Sequence, residues 1–296
     1  MKISEAFSEY RKIMVRARGC SGNTDRGYEY TTKIFIEYFG DIRVRNLSVN
    51  RISEFYLDIT GQNINSDFCR RVSRNTAREY VMKLRSVLTF CHNKGVKTIN
   101  PDDIILPKPE KISINFLTIS EFNVFLNEIS TPKHGYSHIN RARNKLIAKL
   151  LYYTGLRVGE LCALNRNSFV DNQCIVIGKS KYPRPVYITD ELRKEIDQYL
   201  MLRDDNNEAL FICNQNKERI TPHIVEQIFR RVSKSVSLGK VTPHTLRHSF
   251  ATRLIDNGVD IRYVADFLGH QSLNTTKRYT HVRNFKLQQI YDQIFS

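Results

Sequence analysis

Tryptophan is absent from this 296-residue chain. Any stacking on a base or an apolar ligand therefore falls to its tyrosines, phenylalanines or arginines. The six cysteines, Cys20, Cys69, Cys91, Cys162, Cys174 and Cys213, are scattered and form no CxxC pair. That excludes the common zinc spacings and offers no disulfide frame. Cys91, Cys162 and Cys174 sit in apolar stretches and read as buried, reduced thiols of an intracellular protein. Long apolar runs are missing too. The longest, residues 146–153, is broken by Lys149 and is far too short to span a bilayer. The first residues, MKISEAFSEYRK, lack the apolar core of a signal peptide. A cytoplasmic protein with no membrane partner is expected. No GxxxxGK[ST] phosphate loop occurs, and no carboxylate cluster suited to paired Mg²⁺. No cofactor is called for.

Acidic residues are also in deficit. Lys and Arg number 46 against 30 Asp and Glu, a formal net charge of +16. A surplus of that size points to a polyanionic partner, nucleic acid first.

The pattern along the chain is mainly α, with a small antiparallel β element in the second half. Helical spacing runs over residues 4–14, 24–39, 48–59 and 75–94. The last carries Ala77, Val81, Leu84, Leu88 and Cys91 on one stripe. Arg74, Arg78 and Arg85 follow one edge of that stripe, with Arg70 and Arg71 just before it. Such a row is either a solvated flank or a set of DNA-backbone contacts. The basic chain favours the second. Between residues 100 and 115 the sequence NPDDIILPKPEKISIN holds three prolines and no period, which marks a linker. The expected division is a helical DNA-binding domain at 1–105, a linker at 106–116 and a second domain at 117–296. That second domain opens on a capping box, Thr118 with Glu121. Helices follow at 119–128 and 139–153, then a short one after Thr154-Gly155. Short β-type runs at 174–177 and 185–188 flank GKSKYPR and read as a hairpin, with a third strand at 210–213. Thr221-Pro222 and Thr242-Pro243 each supply an N-cap and a proline at the first helical position.

The chemistry-bearing residues gather near the end. His244 and Arg247 are one turn apart on one helix face. His248 lies four residues after His244, a zinc-type spacing. The glutamate of HExxH is missing and an arginine stands between, so a metal reading is set aside. Arg157 sits beside Val158 and Leu161, which belong in a core. It either pairs with Glu160 or joins Arg247 in a bidentate clamp on a phosphate, with Glu160 orienting it. Lys179 and Lys181 stand at the hairpin tip, either solvated or serving as a general acid. His270 follows Gly269, and Tyr279 stands among Thr275, Thr276, Thr280 and His281. Arginines, histidines and a tyrosine so grouped suggest attack by the tyrosine on a phosphodiester.

The stretches TGLRVGEL, HTLRHSFAT and LGHQSLNTTKRYTH closely resemble the three signature boxes of the tyrosine recombinases, the phage-integrase family. They stand in the family's order, and the likeness covers most of residues 117–291. It is nearest to the arm-less, Xer-type members. The N-terminal hundred residues resemble the family's core-binding domain only in length, helicity and charge. The resemblance implies a two-domain C-shaped clamp around double-stranded DNA carrying a specific recombination site. It implies that Arg157 and Arg247 bind the scissile phosphate, that His244 is the acid/base histidine, and that His270 hydrogen-bonds the phosphate. Lys179 would be the general acid, with Lys181 its competitor, and Glu160 would orient Arg157. Tyr279 would be the nucleophile, leaving a 3′-phosphotyrosine and a free 5′-hydroxyl without metal or ATP. A tail helix after Tyr279 would dock on a neighbour in a homotetramer, or in a mixed assembly with a paralogue. Xer-like resolution and mobile-element integration or excision are the implied roles. A type IB topoisomerase-like nicking-closing enzyme and a non-catalytic DNA-binding protein are the alternatives.

Overall fold

The computed structural model describes residues 1–20, 22–63, 66–68, 70–110, 115–178, 183–213 and 215–270, with every side chain among them except that of Lys133. The chain divides into two compact units, Met1–Ile112 and Ser113–Ser296. Among the described residues the only sheet has two strands, and no helix is long and apolar enough to cross a membrane.

The first unit consists of α1 (Ile3–Tyr10), α2 (Gly22–Phe39), α3 (Val49–Ile59) and α4 (Arg74–Asn93). Ser48 and Ser73 cap α3 and α4, accepting from the backbone N–H groups of Arg51 and Thr76. The expected stripe of α4 is buried, from Ala77 through Cys91, against Phe7, Phe35 and Phe55. The helix expected over 4–14 differs in its second half, which continues as a wider π-type turn, Arg11–Arg16. The i→i+5 spacing of such a turn brings residues five apart to one face. Here it lets both Arg11 and Arg16 reach Asp25, at 2.7 and 3.0 Å. The two guanidinium groups, Arg11 first, hold the Asp25 carboxyl at about 2.

Four of the five arginines expected at DNA brace this unit. Arg70 meets Glu37 at 3.0 Å and the Tyr30 hydroxyl at 2.8 Å. Arg71 donates to the Asp58 carbonyl, and Arg78 to the Pro107 carbonyl, both at 2.8 Å. Arg85 pairs with Asp102 at 2.6 Å. Arg74 is exposed at the first turn of α4. The first unit therefore reaches past residue 105. Arg78 and a reciprocal Asn75–Glu110 pair lay residues 107–110 along α4.

In the second unit Thr118 and Glu121 form the capping box of α5 (Ile119–Ile129). α6 (His138–Thr154) is the central helix, packed against α5, α8 (Asp190–Met201) and α10 (Pro243–Asp256). Phe122 stacks on Tyr152 with ring centroids 3.8 Å apart. After the short α7 (Val158–Ala163), β1 (Gln173–Ile177) pairs antiparallel with β2 (Pro183–Tyr187), Val176 opposite Arg184. Cys174, Val176, Arg184 and Val186 face inward. The expected third strand does not join this sheet. Leu210, Phe211 and Ile212 are buried; the Phe211 and Cys213 carbonyls accept from the backbone N–H groups of Ile220 and Lys217, and side chains take the Leu210 and Ile212 carbonyls. Arg203 donates to Ala209 and Leu210, and Arg143 to Ile212. Only isolated bridges, Asn165↔Ala209 and Ile212↔Arg219, remain. α9 (Pro222–Ser233), α10 and α11 (Ile261–Leu268) complete the described part.

Candidate active site

α10 is set at its N-terminus by Thr242, whose hydroxyl accepts from the Thr245 N–H at 3.1 Å, and by Pro243 at the first helical position. This fixes Arg247 one turn further in, where it is 5% exposed. Its Nη1 donates to the Gly155 carbonyl and its Nη2 to the Leu268 carbonyl, and His270 Nε2 lies 3.3 Å from Nη2. Gly155 caps the C-terminus of α6, and Leu268 ends α11. Helix C-termini leave carbonyls unsatisfied and carry partial negative charge. They hold the buried Arg247 guanidinium in place.

Both helix ends close through left-handed glycines, Gly155 with φ +64° and Gly269 with φ +60°. At Gly155 a side chain is doubly excluded, because a Cβ there would stand 2.4 Å from Phe250 Cδ1. The sharp turn places Arg157 two residues on, as the N-cap of α7. Arg157 Nη2 reaches the Gly269 carbonyl at 3.2 Å. Thus Arg157, Arg247 and His270 converge on the short segment 268–270.

Glu160 links this group to the sheet. Its Oε2 accepts from the Arg157 backbone N–H at 2.8 Å and from Arg184 Nη2 at 2.6 Å, while Oε1 accepts from Arg157 Nη1 at 2.8 Å. Both readings of Arg157 are therefore compatible with one geometry: it is ion-paired, and its partner orients it. Arg184 escaped the sequence reading. The signal was available, since Arg184, Val186 and Ile188 alternate on the inward face of a strand, and a charge in that series is out of place. Burial lowers the Arg184 pKa from its ordinary value, and Glu160 opposes the shift. Two guanidinium groups, Arg157 and Arg184, share the Glu160 carboxylate. With one carboxylate between them, Arg157 and Arg184 keep one net positive charge, and Arg184 and Glu160 are buried.

The paired face expected of His244 and Arg247 divides by depth. His244 is exposed at the first turn of α10, while Arg247 is buried a turn below. His244 lines an open cleft of about 580 Å³ with Lys240, Arg230, Lys234 and Glu226. Lys179, Lys181 and Tyr279, with the tail that follows, lie outside the described residues. Such an arrangement can receive an anion. Fixed guanidinium groups meet an oxyanion without the reorganisation that water would need.

Residues 115–285 match the model of the phage integrase family. The chain belongs to that family. It is a tyrosine recombinase, a class of site-specific DNA strand transferase. A tyrosine recombinase from Thermosipho africanus (strain TCF52B) is 31% identical over 286 residues, covering 95% of each chain. Tyrosine recombinase XerD from Neisseria meningitidis serogroup B is 33% identical over 223 residues, covering 73% of this chain and 75% of that one. Among solved structures, the XerH site-specific recombinase bound to a palindromic difH substrate, a post-cleavage complex, superposes with a TM-score of 0.73 at 25% identity. That match covers 96% of this chain and 83% of XerH. The Tn1549 transposon integrase in complex with transposon right end DNA shares the fold, with a TM-score of 0.77 at 19% identity over 100% of both chains.

Proposed function

We propose that this recombinase cleaves and rejoins double-stranded DNA at a specific site through a 3′-phosphotyrosine on Tyr279. The observation that carries the reading is the convergence of Arg157, Arg247 and His270 on one short turn, residues 268–270. Arg157 and Arg247 bind the non-bridging oxygens of the scissile phosphate, and His270 donates to the same phosphate. Attack by Tyr279 puts a second negative charge on those oxygens. Each preorganised donor then stabilises the transition state by about 2–4 kcal/mol. Tyr279 Oη forms the new bond to phosphorus, and the 5′-oxygen leaves with a proton from Lys179, or from Lys181 in its place. His244, at the mouth of the site, serves as the acid/base group. The phosphotyrosine ester conserves the energy of the broken bond, so religation by a 5′-hydroxyl needs no ATP.

The N-terminal unit adds backbone contacts from the edge of α4, with Arg74 the nearest candidate. Arg70, Arg71, Arg78 and Arg85 support that surface while keeping their intramolecular bonds. The working state is a tetramer on two DNA sites in the cytoplasm, formed by this chain alone or with a paralogue.

The role of the arginines is tested by removing charge from the substrate. Arg157→Ala and Arg247→Ala are expected to lose about 100-fold or more in cleavage of a normal phosphate. A methylphosphonate at the scissile position should restore much of that loss. Equal defects on both substrates would remove the two arginines from the phosphate. Relaxation of a plasmid that lacks any recombination site would instead favour a topoisomerase-like activity.

A further inference from the structure

The wall of the site formed by β2 has no part in the roles above, yet it carries the least expected side chain in the unit. Arg184 is 7% exposed in its side chain and occupies an inward strand position beside Val176 and Val186. An apolar residue would pack there, and replacing a buried ion pair by apolar groups is often neutral or stabilising. Of its guanidinium nitrogens, only Nη2 has a hydrogen-bond partner, the Glu160 carboxylate. Nε and Nη1 are buried with none. Its stem lies against Gly269, where a Cβ would stand 2.8 Å from Arg184 Cδ and 2.9 Å from Nε. Arg157 Nη1 would be 3.8 Å from the same point. The residue before His270 therefore leaves room for one arginine and accepts a hydrogen bond from another.

We propose that Arg184 is a positioning residue: by sharing Glu160 with Arg157, it stops that pair from closing into a neutral unit and leaves Arg157 its charge for the substrate phosphate. This rests on Arg157 as a phosphate ligand. The geometry supplies the reason. Both oxygens of Glu160 face Arg157, one at the side chain and one at the backbone, and the second is drawn 2.6 Å from Arg184. Without Arg184 the single carboxylate charge falls wholly to Arg157. In a poorly hydrated site a neutralised arginine has little field to offer an incoming oxyanion. With Arg184 present the three-residue cluster keeps one net positive charge.

The experiment is single-turnover cleavage of a nicked suicide duplex at saturating protein, with DNA affinity and thermal melting measured on the same samples. Arg184→Met is expected to slow cleavage by about 10- to 100-fold while DNA affinity stays within about threefold. The double variant Glu160→Gln, Arg184→Met frees Arg157 again. It should cleave at least about fivefold faster than Arg184→Met alone. Arg184→Lys keeps the charge and should stay close to wild type. A methylphosphonate at the scissile position should shrink the Arg184→Met defect, which a packing role would not do. If Arg184→Met fails to fold, Arg184→Gln makes the same comparison. Wild-type cleavage by the folded Met or Gln variant, or a double variant slower than the single, overturns the proposal. Failure of the wild-type protein to cleave would instead refute the reading of the site on which it rests.

Discussion

Replacing Gly155 by alanine tests the turn that joins Arg157 and Arg247, the two arginines proposed to bind the scissile phosphate. The position has φ +64°, which costs a non-glycine residue about 1–2 kcal/mol. The new Cβ would lie 2.4 Å from Phe250 Cδ1 and 2.9 Å from Cε1, about 1 Å inside ordinary contact. Overpacking of that kind costs about 1–3 kcal/mol. Together the unit should lose about 2–5 kcal/mol, which lowers its melting temperature by about 4–20 °C. The strain also acts on chemistry, because the Gly155 carbonyl holds Arg247 and Arg157 lies two residues on. A displacement near 1 Å can cost about 100-fold in rate. Thermal melting and single-turnover cleavage of a suicide duplex read the two effects. Adding Phe250→Ala removes the ring and should return part of the melting loss, giving a coupling of about 1 kcal/mol or more. Gly155→Ala melting and cleaving like wild type, or a cycle that is simply additive, would refute the reasoning.

Other consequences follow from single contacts. Arg203 holds the Asp205 carboxyl at about 2, below its ordinary range. The stabilisation this gives is fully present above about pH 4, where the unfolded carboxyl is ionised, and is lost as pH falls toward the folded value. Asp205→Asn should therefore lower the melting temperature at neutral pH and flatten its fall under acid; an unchanged acid profile would count against the pair. Thr118→Ala removes the capping hydroxyl of α5 and should cost about 1 kcal/mol in denaturant unfolding. Phe122→Ala removes a fully buried ring stacked on Tyr152 and should cost about 3–5 kcal/mol. DNA affinity should fall steeply with salt, by about 0.9 logarithmic units per phosphate contact for each tenfold rise.

Much of this architecture was legible because local chemistry set it. Thr118, Thr221 and Thr242 each cap a helix by accepting a backbone N–H, so the starts of three helices were read directly, while the caps Ser48 and Ser73 emerge from the structure. The inward alternation Cys174, Val176 and Val186 likewise specified a hairpin. What was hidden depends on contacts distant in sequence. Residues 210–213 have strand-like composition, but Arg203 and Arg143 take the Leu210 and Ile212 carbonyls, and the Phe211 and Cys213 carbonyls pair locally with the backbone of Ile220 and Lys217. Residues 107–110 have the composition of a linker, yet Arg78 and Asn75 hold them against α4. The arginine pair 157 and 247 was readable from motif likeness. Its support on helix-end carbonyls was not, because those carbonyls belong to helices far apart in the chain. Arg184 was visible in principle as the one charge in an apolar alternation. Its significance needed the distance to Glu160.

Covalent capture of DNA tests the proposed chemistry most directly. A duplex nicked just beyond its cleavage position loses the short fragment after attack, so the protein stays joined to the 3′ phosphate. Denaturing electrophoresis followed by peptide mapping should find the nucleotide on Tyr279. The adduct should be absent in Tyr279→Phe, while that variant binds the duplex as tightly as wild type. An adduct that persists in Tyr279→Phe, or that maps to another residue, would contradict the assignment of the nucleophile and of the site built around it.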